Sequence, residues 1–122
     1  MKTPLISVII PTLNIESYIS ATIESVLAQS YDNLEVIIVD GGSKDKTLDL
    51  LNKYKKNDSR LKIISAPGKP LCASRNIGLS ESKGKYIKFF DGDDILSPFA
   101  ESMHFLVEIE KAPVFILPFH LN

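Results

Sequence analysis

A chain of 122 residues makes one domain, long enough to bury a hydrophobic core without disulfide or metal staples. Its 44% apolar and 24% charged residues are ordinary for a soluble globular protein. A formal net charge of -1, with no basic stripe, argues against a general nucleic-acid binder. The single cysteine, Cys72, excludes an internal disulfide framework and reads as a small core or loop residue. Pro4 and Pro11 break the first apolar run, which lacks a small-residue cleavage site, so no signal peptide is expected. Nothing approaches the roughly 20 apolar residues that span a bilayer. A cytoplasmic location follows as an expectation, at most in association with the inner face of the membrane.

In chain order, residues 5–12 form a continuous β-branched run, as expected of a strand buried on both faces. Residues 16–30 place Ile19, Ile23, Val26 and Leu27 on one helical stripe. Residues 34–40 read as a second buried strand, followed by the turn Gly41-Gly42-Ser43, with Ser43 suited to cap a helix over 44–56. That helix turns Leu48, Leu51 and Tyr54 inward. A short strand is expected over 61–65, a helix over 71–82 and a strand over 86–91. A helix over 97–110 follows, with Ser97 as cap and Pro98 at its first position, and then a strand over 113–119. Alternation of this kind predicts an α/β, Rossmann-like, mostly parallel sheet with helices on both faces.

Ligands of such sheets bind at the carboxyl ends of the strands, where strand order reverses. Three polar segments, 12–14, 40–43 and 91–94, lie just past predicted strand ends and should line that edge. Asp91 and Asp93 are two apart, so in an extended segment both point the same way, with Gly92 between them leaving room for close approach. Two convergent carboxylates favour a hard divalent cation, Mn²⁺ or Mg²⁺, if a phosphate completes the shell; the bland alternative is a solvated acidic turn. Asp40 can accept from a base N–H or a ribose hydroxyl, or else pair with the Gly41–Gly42 turn. Asp45 suits the dipole of the following helix. Arg75 can grip a diphosphate in fork geometry, with Asn76 beside it, or pair at a strand end. Lys69, between Gly68 and Pro70, is a weaker candidate of the same kind. His104 and His120 share no metal spacing, and Tyr86, Phe89, Phe90 and Phe105 read as core.

Four blocks, "SVIIPTLN", "SVLAQSYDNLEVIIVDGGSKDKT", "ASRNIGLSESKGKYIKFFDGDD" and "LSP", together resemble the N-terminal half of a family 2 glycosyltransferase. The resemblance covers nearly all of residues 5–98 and implies the glycosyltransferase A fold, truncated. It implies a nucleotide-diphosphate sugar donor, commonly a uridine one, with Pro11, Thr12 and Asn14 bordering the base and Asp40 touching base or ribose. Asp91-Gly92-Asp93 then matches the family's D-x-D: Asp91 meets ribose or a metal-bound water, and Asp93 holds the cation that bridges the diphosphate. Leu13 stands where the family often has a tyrosine, and Gly41 where it often has a second acid, departures that bear on nucleotide identity. The family inverts the anomeric centre with a carboxylate base in a later segment, expected beyond residue 122, and the acceptor would be a saccharide or a lipid-linked saccharide. The sequence leaves open a non-catalytic nucleotide-binding module or pseudo-enzyme. A haloacid-dehalogenase-like phosphohydrolase is disfavoured because Ile95 replaces that family's hydroxyl residue. A nicotinamide site is disfavoured for want of a G-x-G-x-x-G.

Overall fold

A computed structural model describes residues 4–29 and 31–90 of the chain. Their order is β1 (Ile6–Thr12), α1 (Ile19–Leu27), β2 (Leu34–Asp40), α2 (Thr47–Asn57), β3 (Leu61–Ser65), α3 (Leu71–Glu81) and β4 (Tyr86–Phe89). The expected helix over 97–110, the strand over 113–119 and the acidic segment from Asp91 lie outside the described residues.

All strand pairs are parallel, and the sheet runs β3-β2-β1-β4. Every residue of β1 and β2 is buried, as their unbroken apolar runs require, whereas the flanking β3 and β4 are largely half-buried. Helices α1 and α2 cover one face. There Ile6, Val8 and Ile10 of β1 and Val36 and Ile38 of β2 pack with Ile19, Ile23, Val26 and Leu51. Alternate residues Ile9, Ile37 and Val39 meet α3 on the other face. Helix α3 lies close because Gly78 has no side chain: a Cβ there would sit 2.5 Å from Ile9 Cγ2.

Two helix starts differ from the expected ones. Helix α1 begins at Ile19 and not at residue 16: residues 15–18 form a turn in which Tyr18 and Ile19 both donate to the Ile15 carbonyl, and the N–H groups of residues 14–16 bond to Ser43, Thr47 and Asp45. Helix α2 begins at Thr47, with Lys46 at its cap and no side-chain cap bond, so Ser43 does not cap it. Asp45 stands ahead of the helix, not in its first turn, and accepts the N–H of Thr47 at 2.9 Å. Hydrogen bonds from Thr47 and the N–H of Glu16 hold its carboxyl below the usual range.

The amino edge carries a buried polar knot that the sequence reading missed. Glu35 of β2 accepts from Ser7 Oγ at 2.6 Å, from Lys62 Nζ at 2.8 Å and from the Lys83 N–H. Ser7 Oγ in turn accepts from the Gly84 N–H at 2.9 Å. Three strands and the α3–β4 loop are thereby joined. Burial raises the Glu35 carboxyl, but bonds from Lys62, the Lys83 N–H and Ser7 outweigh it and leave the group below its ordinary value of 4.5.

Two outcomes are expected. The unfolded chain takes up the Glu35 proton before the folded one, so this carboxylate's contribution is fully present above the ordinary value. It is lost as pH falls through the lower folded value. Urea unfolding of wild type and Glu35→Gln should therefore differ at pH 7, and the difference should shrink as pH falls below the ordinary value of 4.5; a gap that does not shrink on acidification would contradict the coupling. Gly84→Ala places a Cβ 2.5 Å from Ser7 Oγ and 2.7 Å from Ser7 N. It should cost about 1–3 kcal/mol in the same assay, the usual penalty for overpacking.

Candidate functional site

Because the strands are parallel, all their carboxyl ends share one edge, and the order β3-β2-β1-β4 reverses direction between β1 and β4. In parallel α/β sheets such a reversal marks the edge where ligands bind. A cleft of about 160 Å³ lies at this carboxyl edge, on the β1–β2 side beside the start of α3. Its walls are Pro11, Thr12 and Leu13 from β1, Gly41 from the turn after β2, and Lys69, Leu71 and Ser74 around the start of α3. Leu13 and Leu71 are 54% and 52% exposed, so the cleft offers an apolar lip on each side.

Beneath the cleft the β1–β2 register sets Thr12 beside Asp40. The Asp40 side chain is wholly buried and fully engaged. Its Oδ1 accepts from Thr12 Oγ1 at 2.8 Å and Ser43 Oγ at 2.6 Å. Its Oδ2 accepts from the N–H of Gly42 at 3.0 Å and of Ser43 at 2.8 Å. A carboxylate has about four acceptor positions, and all are taken. The pairing of Asp40 with its own turn, weighed from sequence as the alternative, is thus what the structure shows. The turn itself needs glycine: Gly42 has φ +103, and a Cβ would meet Pro67 at 3.3 Å. Backbone bonds from the N–H of Ala66 to the Asp40 carbonyl, 2.8 Å, and of Gly68 to the Gly41 carbonyl, 3.2 Å, tie in the loop before α3.

Pro11, Thr12 and Lys69 of the expected site therefore meet at one cleft, and Asp40 underlies it. Asn14 is exposed one residue beyond Leu13, with its Oδ1 taken by the Lys44 N–H. Arg75 lies on the α3 face with its guanidinium 6.0 Å from the Phe89 ring centre, near the carboxyl end of β4. Asp91 and Asp93 lie outside the described residues. Gly41, Leu71 and Ser74 were not anticipated as walls. Ser43 was read as a helix cap, although an Asp followed three residues on by Ser is a local turn signature. Among the described residues no three His, Cys, Asp or Glu side chains converge as metal ligands. With Asp40 saturated, the described part of this edge does not by itself supply a metal shell.

A family model described as Glycosyl transferase family 2 matches residues 7–112. The chain belongs to that family. An uncharacterized glycosyltransferase of Haemophilus influenzae is 43% identical over 98 residues, which are 80% of this chain and 39% of that protein. WfaP of Escherichia coli, a UDP-Glc:alpha-D-GlcNAc-diphosphoundecaprenol beta-1,3-glucosyltransferase, is 42% identical over 110 residues, 88% of this chain and 43% of its own length. The crystal structure of S. aureus TarS 1-349 in complex with UDP-GlcNAc superposes with a TM-score of 0.74 at 30% identity, covering 84% of this chain and 30% of that one. The chain thus spans less than half the length of these relatives, and its parallel sheet with helices on both faces is the glycosyltransferase A architecture of TarS.

The saturated carboxylate makes Asp40 a structural requirement of this glycosyltransferase edge. Asp40→Asn replaces an acceptor with an NH₂ donor aimed at donors already in place. It should cost about 2–4 kcal/mol in chemical denaturation without any nucleotide present. A variant as stable as wild type would show that the turn does not depend on the carboxylate.

Proposed function

We propose that the chain is the donor-binding part of a glycosyltransferase that takes a nucleotide-diphosphate sugar of the uridine type. The observation that carries this reading is the cleft at the carboxyl ends of β1 and β2, walled by Pro11, Thr12, Gly41 and Lys69. The likeness to TarS, whose structure holds UDP-GlcNAc, and to WfaP, named for UDP-Glc, supports it.

In this reading the base lies against the Pro11–Leu13 lip, apolar contact with Leu13 standing in for ring stacking. Thr12 and Asp40 shape the floor. The diphosphate lies toward Lys69, Arg75 and the start of α3, whose first N–H groups have no intrahelical acceptor and carry partial positive charge. Phe90 enters this edge with its N–H on the Ile9 carbonyl at 2.9 Å. Asp91 and Asp93, which follow Phe90 in sequence, are the D-x-D of this reading. Those two carboxylates would hold Mn²⁺ or Mg²⁺, which neutralises charge building on the leaving diphosphate. Transfer would invert the sugar's anomeric centre, with the base for the acceptor hydroxyl supplied beyond residue 122. The acceptor would be a saccharide or lipid-linked saccharide, as in the name of WfaP, and polysaccharide synthesis is the setting. No helix among the described residues is long and apolar enough to cross a membrane.

Calorimetric titration of UDP into residues 1–122 tests the site. Binding is expected with Mn²⁺ and should weaken at least about tenfold after chelation, the equivalent of 1.4 kcal/mol. Asp93→Asn should weaken it far more than Asp94→Asn, because residue 93 faces the same side as residue 91 in an extended segment. Equal binding without metal, or equal losses in the two variants, would remove the D-x-D assignment. Release of UDP from a UDP-sugar should be at most slow for residues 1–122, and acceptor-dependent only when the following segment is present.

A further inference from the structure

The loop between β1 and α1 and the loop between β2 and α2 are joined by reciprocal bonds at the carboxyl edge. In one direction, the N–H of Asn14 reaches Ser43 Oγ at 2.9 Å, that of Ile15 reaches Thr47 Oγ1 at 2.9 Å, and that of Glu16 reaches Asp45 Oδ2 at 3.2 Å. In return, the N–H of Lys44 reaches Asn14 Oδ1 at 2.7 Å and that of Lys46 reaches Glu16 Oε1 at 3.0 Å. Asn14 and Glu16 each give a backbone N–H and take one with the side chain. Every bond pairs a side chain with a backbone group, so it depends on residue identity in a way that a strand ladder does not. Asn14 has φ +50, the left-handed region that asparagine tolerates better than most residues.

All but the Ile15–Thr47 bond are solvent-exposed. The buried β1–β2 ladder and core hold the fold, and exposed polar bonds add little to it. What the exposed bonds do set is local geometry. Asn14 immediately follows Leu13, one lip of the cleft, and Ser43 lies two residues past Gly41, which also lines it. The Gly41 N–H bonds the Thr12 carbonyl at 2.9 Å, and a Cβ on Gly41 would be in ordinary contact with Leu13 Cδ1 at 3.8 Å, so the freedom left at this wall is that of the exposed Leu13, next to the clasp.

We propose that this two-loop clasp sets where the Leu13 lip stands over the nucleotide cleft, and that Asn14, Glu16 and Asp45 are positioning residues that act without touching the nucleotide. The inference rests on the donor-site reading above, extends it to Glu16 and Asp45, and gives Asn14 a role at one remove from the ligand. Glutamine at position 16 keeps an acceptor for the Lys44–Lys46 segment without the charge, whereas alanine removes it. Glycine at position 14 keeps the left-handed backbone and deletes the acceptor.

The test uses residues 1–122 and two readouts, UDP titration with Mn²⁺ and amide hydrogen exchange of the nucleotide-free protein. Glu16→Ala and Asn14→Gly should weaken UDP about fivefold or more, the scale of one or two lost hydrogen bonds, while Glu16→Gln stays within about twofold. Urea midpoints should hardly move. In Glu16→Ala, exchange should speed up at residues 44–46 of the opposite loop as well as near the substitution. If Glu16→Gln weakens UDP as much as Glu16→Ala, Glu16 acts by charge or direct contact and the positioning role is overturned. Unchanged affinity in Glu16→Ala and Asn14→Gly overturns it too. A wild-type chain that binds no UDP would sink the donor-site reading; exchange alone would then decide the clasp, and faster exchange confined to the mutated loop would refute it.

Discussion

The carboxyl edge depends on one buried carboxylate with four donors around it. Asp40 sits at the last position of β2, shut off from solvent, and an unpaired charge there would be prohibitive. Thr12 from β1, Ser43, and the N–H groups of Gly42 and Ser43 remove that penalty together. Their geometry is thereby dictated: the turn must fold back on Asp40, which needs the positive φ of Gly42, and β1 must end level with β2. The cleft walls are consequences of this arrangement, since Thr12 and Gly41 have little freedom once Asp40 is satisfied.

The opposite edge solves a similar problem for a different purpose. Glu35 is also buried, but its partners come from β1, β3 and the loop into β4, so it joins elements that are distant in sequence. That knot holds the amino ends of the strands while α3 lies tightly over Ile9 through Gly78. With one edge pinned by Glu35 and the core packed on both faces, the carboxyl edge is held separately, by Asp40 and its turn. The glycosyltransferase reading draws on that division, because a donor site needs fixed walls and an open mouth.

Much of the architecture was legible in the residues. The β-branched runs of β1 and β2 require burial on both faces, and the stripe of Ile19, Ile23 and Val26 requires a helix against them. The alternation of these elements leads to a parallel sheet, and the four motif blocks lead to the family. Helix starts were less legible. Residues 16–18 form a turn ahead of α1, and the N–H groups of residues 14–16 bond to Ser43, Thr47 and Asp45, about thirty positions away in the loop after β2 and the start of α2. Local propensity is a weak prior against such bonds.

The sequence by itself determined the strands and helices of the described residues, apart from their exact ends, because periodicity and turn chemistry act between neighbours along the chain. It also narrowed Asp40 to two roles, ligand contact or turn pairing. Only the tertiary structure decided where that carboxylate's lone pairs go. Thr12 Oγ1 lies 28 positions from Asp40 in sequence and becomes its neighbour through the β1–β2 register. The same holds for Glu35, whose ordinary place in a strand pattern concealed partners brought together by three separate elements. Hydrogen-bond saturation is a property of what surrounds a group in space, and long-range pairing in this fold supplies those surroundings.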